Sequence, residues 1–366
     1  MTNWIRMGAP DISEREAKSV YEQVLSGWIS QGKRTEEFEK EISNYLISNY
    51  STAMCNGTVT LHSILVALGV GTGDYVVVPS LTYISSVNVI YLCGAIPIYC
   101  DVDQETLLMD HEELETILGK YKPKAVMSVD LKGLPCDYHK INQICESNNT
   151  KHFSDSAESL GGIYKGEKVG SQTIAHSFSL FANKTITTGE GGIVTTDSAE
   201  LNCSLKTIRN QGQGSQRYQH ISMGFNYRFT DVKASIGISQ LSKLDFILEK
   251  RQKVVQKLKN LMGSNIKFQK VPSYVDLHPY YNLTCLFDDK ETRDLVQKKL
   301  ESNQIETRIS FPPCHDQPFH QNLPKVTVSK LPNTIMSYET MLDIPCHQNI
   351  TDNEIDKISN IILNNV

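Results

Sequence analysis

Short apolar segments that alternate with helical patterns constrain the fold of this chain more than any other feature. Three of these segments are rich in β-branched residues, and they run over Tyr75–Pro79, Ile96–Val102 and Ala125–Leu131. Short, bounded runs of this kind are typical of strands that are buried in parallel sheets. Because helical patterns separate them, about the first two-thirds of the chain is predicted to fold as an α/β domain.

The pattern of secondary-structure signals in the sequence changes at about residue 245. Charged helical patterns over 249–262 and 293–303 alternate there with β-rich stretches, and this pattern is typical of an α+β domain. A chain of 366 residues is long enough for two domains. We therefore expect a large domain over 1–244, which includes the N-terminal helices, and a small C-terminal domain over 245–366.

Composition and charge exclude several classes of protein. The formal net charge is −5 and no basic block stands out, so the chain lacks the electrostatic footprint of a nucleic-acid binder. No apolar run approaches a membrane span, and the N-terminal segment has no signal-peptide core. Nine cysteines without a C-x-x-C pair favour free thiols in a reducing compartment over a zinc site or a disulfide framework. We therefore expect a cytoplasmic protein that binds no metal, nucleic acid or membrane.

One lysine has an unusual position in the sequence. Lys184 follows the β-rich segment Thr173–Leu180 and precedes Thr-Gly-Glu-Gly-Gly, whose glycines let another chain segment or a ligand approach the backbone closely. Most lysines are solvated surface residues, and that is the alternative interpretation. An enclosed lysine loses part of its hydration, so its pKa falls and its amine becomes a nucleophile for carbonyl carbons. The position of Lys184 therefore predicts Schiff-base chemistry.

Two further positions suggest ligand contacts on local grounds. Gly57 and Thr58 precede a helical pattern, with Thr58 as a candidate N-cap, and a helix N-terminus offers unpaired N–H groups to a phosphate. Most capped helices bind no anion, so simple capping is the alternative there. Asp155 ends a predicted strand, where ligands gather in doubly wound sheets, although a turn or a helix cap has the same sequence signature.

Several segments together resemble the DegT/DnrJ/EryC1/StrS family of sugar aminotransferases. The lysine segment reads FSLFANKTITTGEGG, and the others occur in family order along nearly the whole chain. These others are CNGTVTLHSILVALGVGTGDYVVVPSLTYISSVNVIYLCGAIPIYCDVD, SDSAESLG, GFNYRFTDVKASIGISQL and IETRISFPPCH. Within the family, the likeness is to the GDP-perosamine synthase branch, which aminates C4 of a 4-keto-6-deoxy sugar nucleotide.

The resemblance implies a fold and a cofactor. The fold is type I of the transferases that depend on pyridoxal 5′-phosphate (PLP), which resembles aspartate aminotransferase. It has a mixed, mainly parallel sheet with helices on both faces, plus a small α+β C-terminal domain. Lys184 would hold PLP covalently and later move a proton, while an ionised Asp155 would keep the pyridine nitrogen protonated.

The remaining implied contacts concern the cofactor and the substrate. For the cofactor they are Gly57, Thr58 and Ser179 at the phosphate, Tyr83 against the ring, Glu158 near O3′, and Asn226 or, as second choice, Arg228 reaching the site of a neighbouring chain. On the substrate side they are Trp28 and Ser30 at the mouth of the site and Arg308 and His315 in the cleft. A loop with a buried tryptophan is the alternative for Trp28, and a structural or exposed role is the alternative for Arg308 and His315.

Two residues depart from the family pattern. Lys132 stands where many relatives have an aromatic residue, which leaves the contacts at that place open. Glu158 stands where many relatives have glutamine. A carboxylate there can change the proton affinity of the nitrogen that joins lysine and cofactor, in a direction that the sequence does not fix.

The expected function is a ping-pong transfer of an amino group from L-glutamate to a nucleotide-linked 4-keto-6-deoxy sugar, for deoxyamino sugar and O-antigen-type glycan biosynthesis. GDP and dTDP are both open as the nucleotide, and a homodimer with shared active sites is implied. Three alternatives use the same fold: a C3 aminotransferase, a dehydratase, which in this family carries histidine in place of the lysine, and a PLP-dependent decarboxylase or lyase. A regulator that binds PLP or a sugar nucleotide without turnover is the alternative from another class.

Overall fold

The computed structural model describes residues 4–366, and twelve α-helices lie in this part of the chain. They are α1 (Glu14–Leu25), α2 (Lys33–Leu46), α3 (Gly57–Ala67), α4 (Ile84–Leu92), α5 (His111–Lys120), α6 (Tyr138–Ser147), α7 (Ala199–Arg209), α8 (Asp231–Leu241), α9 (Leu244–Met262), α10 (Lys290–Ser302), α11 (Pro332–Thr340) and α12 (Asp352–Leu363). Over the same residues, no helix combines the length and apolar character needed to cross a membrane.

Fourteen strands in the described chain form one sheet of eight strands and two sheets of three. They are β1 (Tyr50–Met54), β2 (Tyr75–Pro79), β3 (Ile96–Cys100), β4 (Ala125–Val129), β5 (Lys151–Asp155), β6 (Ile163–Tyr164), β7 (Glu167–Lys168), β8 (His176–Ser179), β9 (Gly192–Thr196), β10 (Lys267–Phe268), β11 (Val275–Leu277), β12 (Leu283–Leu286), β13 (Val326–Thr327) and β14 (Met341–Ile344).

The eight-stranded sheet has the order β1-β9-β8-β5-β4-β2-β3-β13. Only β9 runs against the others, because it pairs antiparallel with both β1 and β8 while every other pair in the sheet is parallel. The three apolar segments that predicted buried strands form β4, β2 and β3, which are neighbours in this sheet. The prediction of a mixed, mainly parallel sheet in an α/β fold is therefore confirmed.

Successive residues of β2 enter different apolar clusters on opposite faces of this sheet. Val77 belongs to a buried cluster with Ile42 of α2 and Ile117 of α5. Its neighbours Val76 and Val78 belong to a second cluster, which includes buried side chains of α3 and α4. Helices therefore cover both faces, which explains why this strand carries an unbroken run of valines rather than alternating polar residues.

A third apolar cluster lies in the C-terminal part, between β12, β14 and the helices α9, α10 and α12. Helix α9 contributes to two clusters, since Leu244 and Ile247 belong to the cluster that also contains side chains of α2 and α5, whereas Leu258 and Met262 belong to the third. Strand β13 also comes from this part, and it pairs with β3 at the edge of the central sheet. The boundary expected between 244 and 245 falls at the start of α9 and stays a prediction.

The N-terminal segment differs in part from expectation. Ser13 and Glu16 form a capping box at the start of α1, as the helix-start pattern Ser-x-x-Glu predicts. Trp28, just after the helix, is 60% exposed, so the interpretation of this loop as one with a buried tryptophan is wrong for the single chain. Its indole N–H donates to the Gln31 carbonyl at 3.3 Å, a bond within the loop.

Two helical glycines lead to opposite expectations about stability. A Cβ at Gly237 in α8 would lie 2.7 Å from the buried ring of Phe38, whereas one at Gly119 in α5 would meet nothing within 4 Å. We expect Gly237→Ala to lower the free energy of unfolding by about 1–3 kcal/mol through overpacking. Gly119→Ala should raise it by up to about 1 kcal/mol through helix propensity. Urea unfolding followed by circular dichroism measures both, and a stabilised Gly237→Ala protein would contradict this packing.

Candidate active site

The parallel strands β4, β5 and β8 end at one edge of the central sheet, and a cavity of about 710 Å³ opens there. This is the edge at which parallel sheets bind ligands. The C-terminal part closes the cavity with Tyr281, Arg308 and Phe311. The residues predicted from the sequence that line the cavity are Gly57, Thr58, Tyr83, Asp155, Glu158, Ser179, Lys184 and Arg308.

Lys184 projects into this cavity from a turn in which its N–H donates to the Phe181 carbonyl at 3.0 Å. Its side chain is only 14% exposed, so the alternative of a solvated surface lysine is wrong. The ammonium nitrogen lies 3.2 Å from Glu158 Oε1 and 4.1 Å from the centre of the Tyr281 ring. The amine is thus held between a carboxylate and an aromatic face.

The predicted fall in the pKa of Lys184 is wrong for the chain without cofactor. Burial lowers the pKa of this ammonium, but the negative charge of Glu158 and the oxygen of Tyr281 act in the opposite direction, and the pKa ends above its ordinary value. The sequence argument considered only the loss of hydration. It could not include the carboxylate that folding places beside the amine.

Asp155 is the last residue of β5, and its side chain is buried. Its Oδ2 accepts a hydrogen bond from the Ser86 hydroxyl at 2.7 Å, and its Oδ1 accepts one from the Ala157 N–H at 3.2 Å. Burial raises the pKa of Asp155 to about 6, while these hydrogen bonds and the charge of Lys184 limit the rise. The carboxylate is therefore ionised at neutral pH.

The start of α3 faces the cavity and is capped by Asn56, whose side-chain oxygen accepts from the Val59 N–H at 3.0 Å. The expectation that Thr58 caps this helix is wrong, because its hydroxyl instead lies 2.9 Å from that of Ser85. A Cβ at position 57 would lie 3.1 Å from the Cβ of Ser179, so glycine lets the helix start approach β8 closely. N–H and hydroxyl donors converge there, which suits a phosphate.

Tyr83 immediately precedes α4, and its ring is 56% exposed. The ring packs edge-on against Phe311, with 5.3 Å between the ring centres. Because both rings line the cavity, a flat ligand has an aromatic surface available on one side.

Trp28 and Ser30 lie outside the cavity lining. The Ser30 carbonyl accepts a hydrogen bond from the Asp231 N–H at 3.0 Å, which ties the loop to the start of α8. The position of both residues on the substrate side stays a prediction.

Asn226 and Arg228 also lie outside the cavity of their own chain. Asn226 forms an isolated bridge with Asn210, and Arg228 donates to the Asn210 side chain at 2.9 Å. The sequence assigned both to the site of a neighbouring chain, and that assignment stays a prediction.

The two C-terminal substrate candidates have different surroundings. Arg308 lines the cavity, and its Nη1 lies 3.5 Å from the hydroxyl of Tyr281. His315 is absent from the lining, and its Nδ1 is hydrogen-bonded to the Ser80 hydroxyl at 2.7 Å. Arg308 can therefore reach a ligand directly, whereas His315 holds a neighbouring loop, and the substrate role of both stays a prediction.

Three residues of the site were missed by the sequence argument: Ser86, Tyr281 and Phe311. A signal for Ser86 exists, because it lies in the first turn of a mostly apolar helix, where a buried hydroxyl needs a partner. No local signal marks the two aromatic residues. They reach the cavity only through the packing of the C-terminal part on the central sheet.

These residues fit PLP. Lys184 offers an amine, Asp155 offers a buried carboxylate for a pyridine nitrogen, and Tyr83 offers a flat apolar surface. The close approach of Gly57 to Ser179 brings the start of α3 and the hydroxyls of Thr58, Ser85 and Ser179 to one end of the cavity, where they can donate to a phosphate.

The whole fold matches that of solved sugar aminotransferases. A protein from Streptococcus pneumoniae that is described as a sugar aminotransferase, Spr1654, superposes in its PLP form with a TM-score of 0.92 and 28% identity, covering 99% of this chain and 100% of that one. The fold and the site thus define a PLP-dependent sugar aminotransferase.

Relatives in sequence agree with this class. The GDP-perosamine synthase of Vibrio cholerae is 35% identical over 331 residues, or 89% of each chain, and that of Caulobacter vibrioides is 38% identical over 327 residues, or 87% of each chain. The model of the DegT/DnrJ/EryC1/StrS aminotransferase family matches residues 10–363, so the chain belongs to that family. The predicted family, the fold class and PLP as the cofactor are confirmed.

Replacement of Ser86 by alanine tests how the site controls Asp155. The variant removes a hydroxyl that donates to the carboxylate, so the pKa of Asp155 should rise. An ionised carboxylate pairs with a protonated pyridine nitrogen, so affinity for PLP falls as the pH falls through that pKa. We expect the midpoint of this loss, followed by absorbance during equilibrium binding of PLP, to move upward by up to about one pH unit.

Ser85→Ala is the matched control for this experiment. Its hydroxyl lies beside Thr58 rather than Asp155, so the affinity for PLP can fall while the midpoint stays where it is. An unchanged midpoint in Ser86→Ala would show that this hydroxyl does not control Asp155.

Proposed function

We propose that the protein transfers an amino group from L-glutamate to C4 of a GDP-linked 4-keto-6-deoxy sugar. The enclosed amine of Lys184, paired with Glu158 at the ends of the parallel strands, carries the proposal of amino transfer. The similarity to two GDP-perosamine synthases supports GDP over dTDP and C4 over C3. A product of this kind is a deoxyamino sugar for O-antigen-type glycans.

Lys184 has two tasks in this reaction. When bound, PLP supplies an aldehyde that condenses with amines and a ring that accepts the electron pair released at a substrate carbon. Lys184 Nζ would hold the cofactor, and once an amino donor has taken its place the free amine would remove the proton from the donor's Cα. The same nitrogen would return a proton to the sugar carbon that is aminated.

Glu158 and Asp155 set the protonation states that these tasks require. Nζ must be neutral before it acts as a base, and Glu158 Oε1, at 3.2 Å, stabilises the ammonium that forms once Nζ has taken a proton. Asp155 is ionised above about pH 6 and stabilises a protonated pyridine nitrogen. The hydrogen bonds from Ser86 and Ala157 hold this carboxylate in a single orientation.

The lysine at position 184 also bears on the rival functions. Dehydratases of the family carry histidine there, so the amine favours amino transfer over removal of a hydroxyl. A regulator without turnover would not need a buried amine, a buried carboxylate and a concave group of phosphate donors together. These three features support a catalytic protein.

We propose further that the protein is a homodimer in which each chain contributes to the other's site. The Asn226 and Arg228 side chains lie outside their own cavity, which is compatible with a contact between the partner subunit's Asn226 and the cofactor phosphate. Apolar side chains at the end of α1 and in the following loop are between 50% and 68% exposed, as expected of a surface that another chain covers. They are Tyr21, Val24, Leu25, Trp28 and Ile29.

Turnover measured in Lys184→Ala tests the proposed reaction. We expect the unchanged protein to release 2-oxoglutarate from glutamate in the presence of a GDP-linked 4-keto-6-deoxy sugar. Loss of the amine should lower this rate by at least about a thousandfold, because the general base and the covalent attachment are lost together. Lys259→Ala is the matched control, since that ammonium also lies over a tyrosine ring, at 5.1 Å from the centre of Tyr280, but outside the cavity.

A panel of sugar nucleotides separates the rival functions. A dTDP-linked or 3-keto sugar as the better acceptor would contradict the proposed substrate while leaving amino transfer intact. Loss of a sugar hydroxyl without consumption of glutamate would indicate a dehydratase. Binding of PLP without either half-reaction would indicate a regulator.

A further inference from the structure

Lys132 lies directly behind the active-site cavity, in the short turn Leu131–Gly133 that follows β4. Its side chain is fully buried, and its φ is 65°, in the left-handed region that disfavours residues with a Cβ. A lysine in this conformation is strained, and a glycine would adopt it freely. The contacts of the side chain must therefore offset the strain.

The ammonium of Lys132 ends in the C-terminal part of the molecule. Its Nζ lies 2.6 Å from Asp343 Oδ2 in β14, donates to the Ser310 hydroxyl, and stands 5.1 Å from the centre of the Phe311 ring. Asp343 is equally buried, and its Oδ1 accepts from the Thr284 hydroxyl at 2.7 Å. Both charges are therefore paired and hydrogen-bonded, which is the condition under which a protein tolerates them inside.

The backbone of Lys132 faces the other way, toward Lys184. Its N–H donates to Glu158 Oε2 at 2.8 Å, and its carbonyl accepts from the Tyr281 N–H at 3.0 Å. Glu158 and Tyr281 are the two groups that contact the Lys184 ammonium. One residue thus holds both neighbours of the reacting amine and is itself fixed by a buried charge.

We propose that Lys132 is a positioning residue for Lys184. Its ammonium, held by Asp343, fixes the strained turn whose N–H and carbonyl place Glu158 and Tyr281 around the amine. It also supports Phe311, against which Tyr83 packs. The proposal rests on the proposed function only in taking Lys184 as the reacting amine.

The geometry favours this role over simple packing. A buried ion pair is weak evidence for stability, because an apolar pair of similar volume often serves as well. Packing alone gives no reason for a left-handed lysine whose backbone hydrogen bonds end on the neighbours of Lys184. The ion pair instead ties the turn after β4 to β14, so the two walls of the cavity keep one relative position.

Two variants test the proposal. Lys132→Met removes the ammonium at similar length, and Lys132→Met/Asp343→Asn also removes the carboxylate that the single variant leaves unpaired in the interior. The double variant lacks both charges of the buried pair, so it is measured in place of the single variant if the single variant does not fold. Lys243→Met is the control, since it breaks a partly buried pair with Asp11 and Glu16 outside the cavity.

The first measurement uses the full chain without cofactor. Competitive acetic anhydride labelling over a range of pH, with mass spectrometry of the Lys184 peptide, gives the midpoint at which this amine loses its proton. A loosened Glu158 stabilises the ammonium less, so we expect the midpoint to fall by about one pH unit in both Lys132 variants and to stay unchanged in Lys243→Met. A merely structural role would not move this midpoint.

The second measurement uses the PLP-loaded enzyme with glutamate and the keto-sugar nucleotide. Misplacement of the groups around the amine should lower kcat by about 10- to 100-fold, with a much smaller change in KM for glutamate. A double variant with the midpoint, kcat and KM of the unchanged protein would overturn the proposal. If the unchanged protein transfers no amino group, the proposed function fails, while the labelling midpoint still decides the role of Lys132.

Discussion

The rest of the site depends on the buried contact between the Lys184 ammonium and the Glu158 carboxylate. Neither side chain has enough water around it to be stable as an isolated charge, so each stabilises the other. The contact raises the pKa of the amine above its ordinary value despite burial, which means that the chain keeps its nucleophile protonated. The same contact fixes the position of the amine and stabilises the ammonium that forms when Nζ takes a proton from a substrate carbon.

The fold explains how so many polar groups can meet in the interior. Asp155 and Ser179 are the last residues of parallel strands, and Gly57 begins the helix that packs beside them. Backbone groups at these ends are not all hydrogen-bonded within the sheet or the helix. Donors and acceptors can therefore converge there without disturbing the apolar clusters on either face. The C-terminal part then closes the cavity, and the pair between Lys132 and Asp343 connects its two walls.

Sequence reasoning succeeded where a local pattern determines the structure. The apolar runs identified the central strands because a doubly covered sheet requires them, and family segments pointed to the residues that line the cavity. It failed where a residue far away in the sequence determines the pKa or the burial of a charged group. Glu158 stands 26 residues from Lys184 and reverses the direction of its pKa shift, and Asp343 stands 211 residues from Lys132 and explains a buried charge. Asn56 caps α3 instead of Thr58, and its residue type, which is a stronger N-cap than threonine, was a local signal that the sequence argument did not use.

Identification of the amine that reacts with the cofactor tests the account most directly. Protein loaded with PLP would be reduced with borohydride and digested, and the peptide that carries the reduced pyridoxyl group would be sequenced by mass spectrometry. The account predicts attachment to Lys184 in stoichiometric amount. Attachment to a different lysine, or an unmodified Lys184 in protein that has bound PLP, would contradict it.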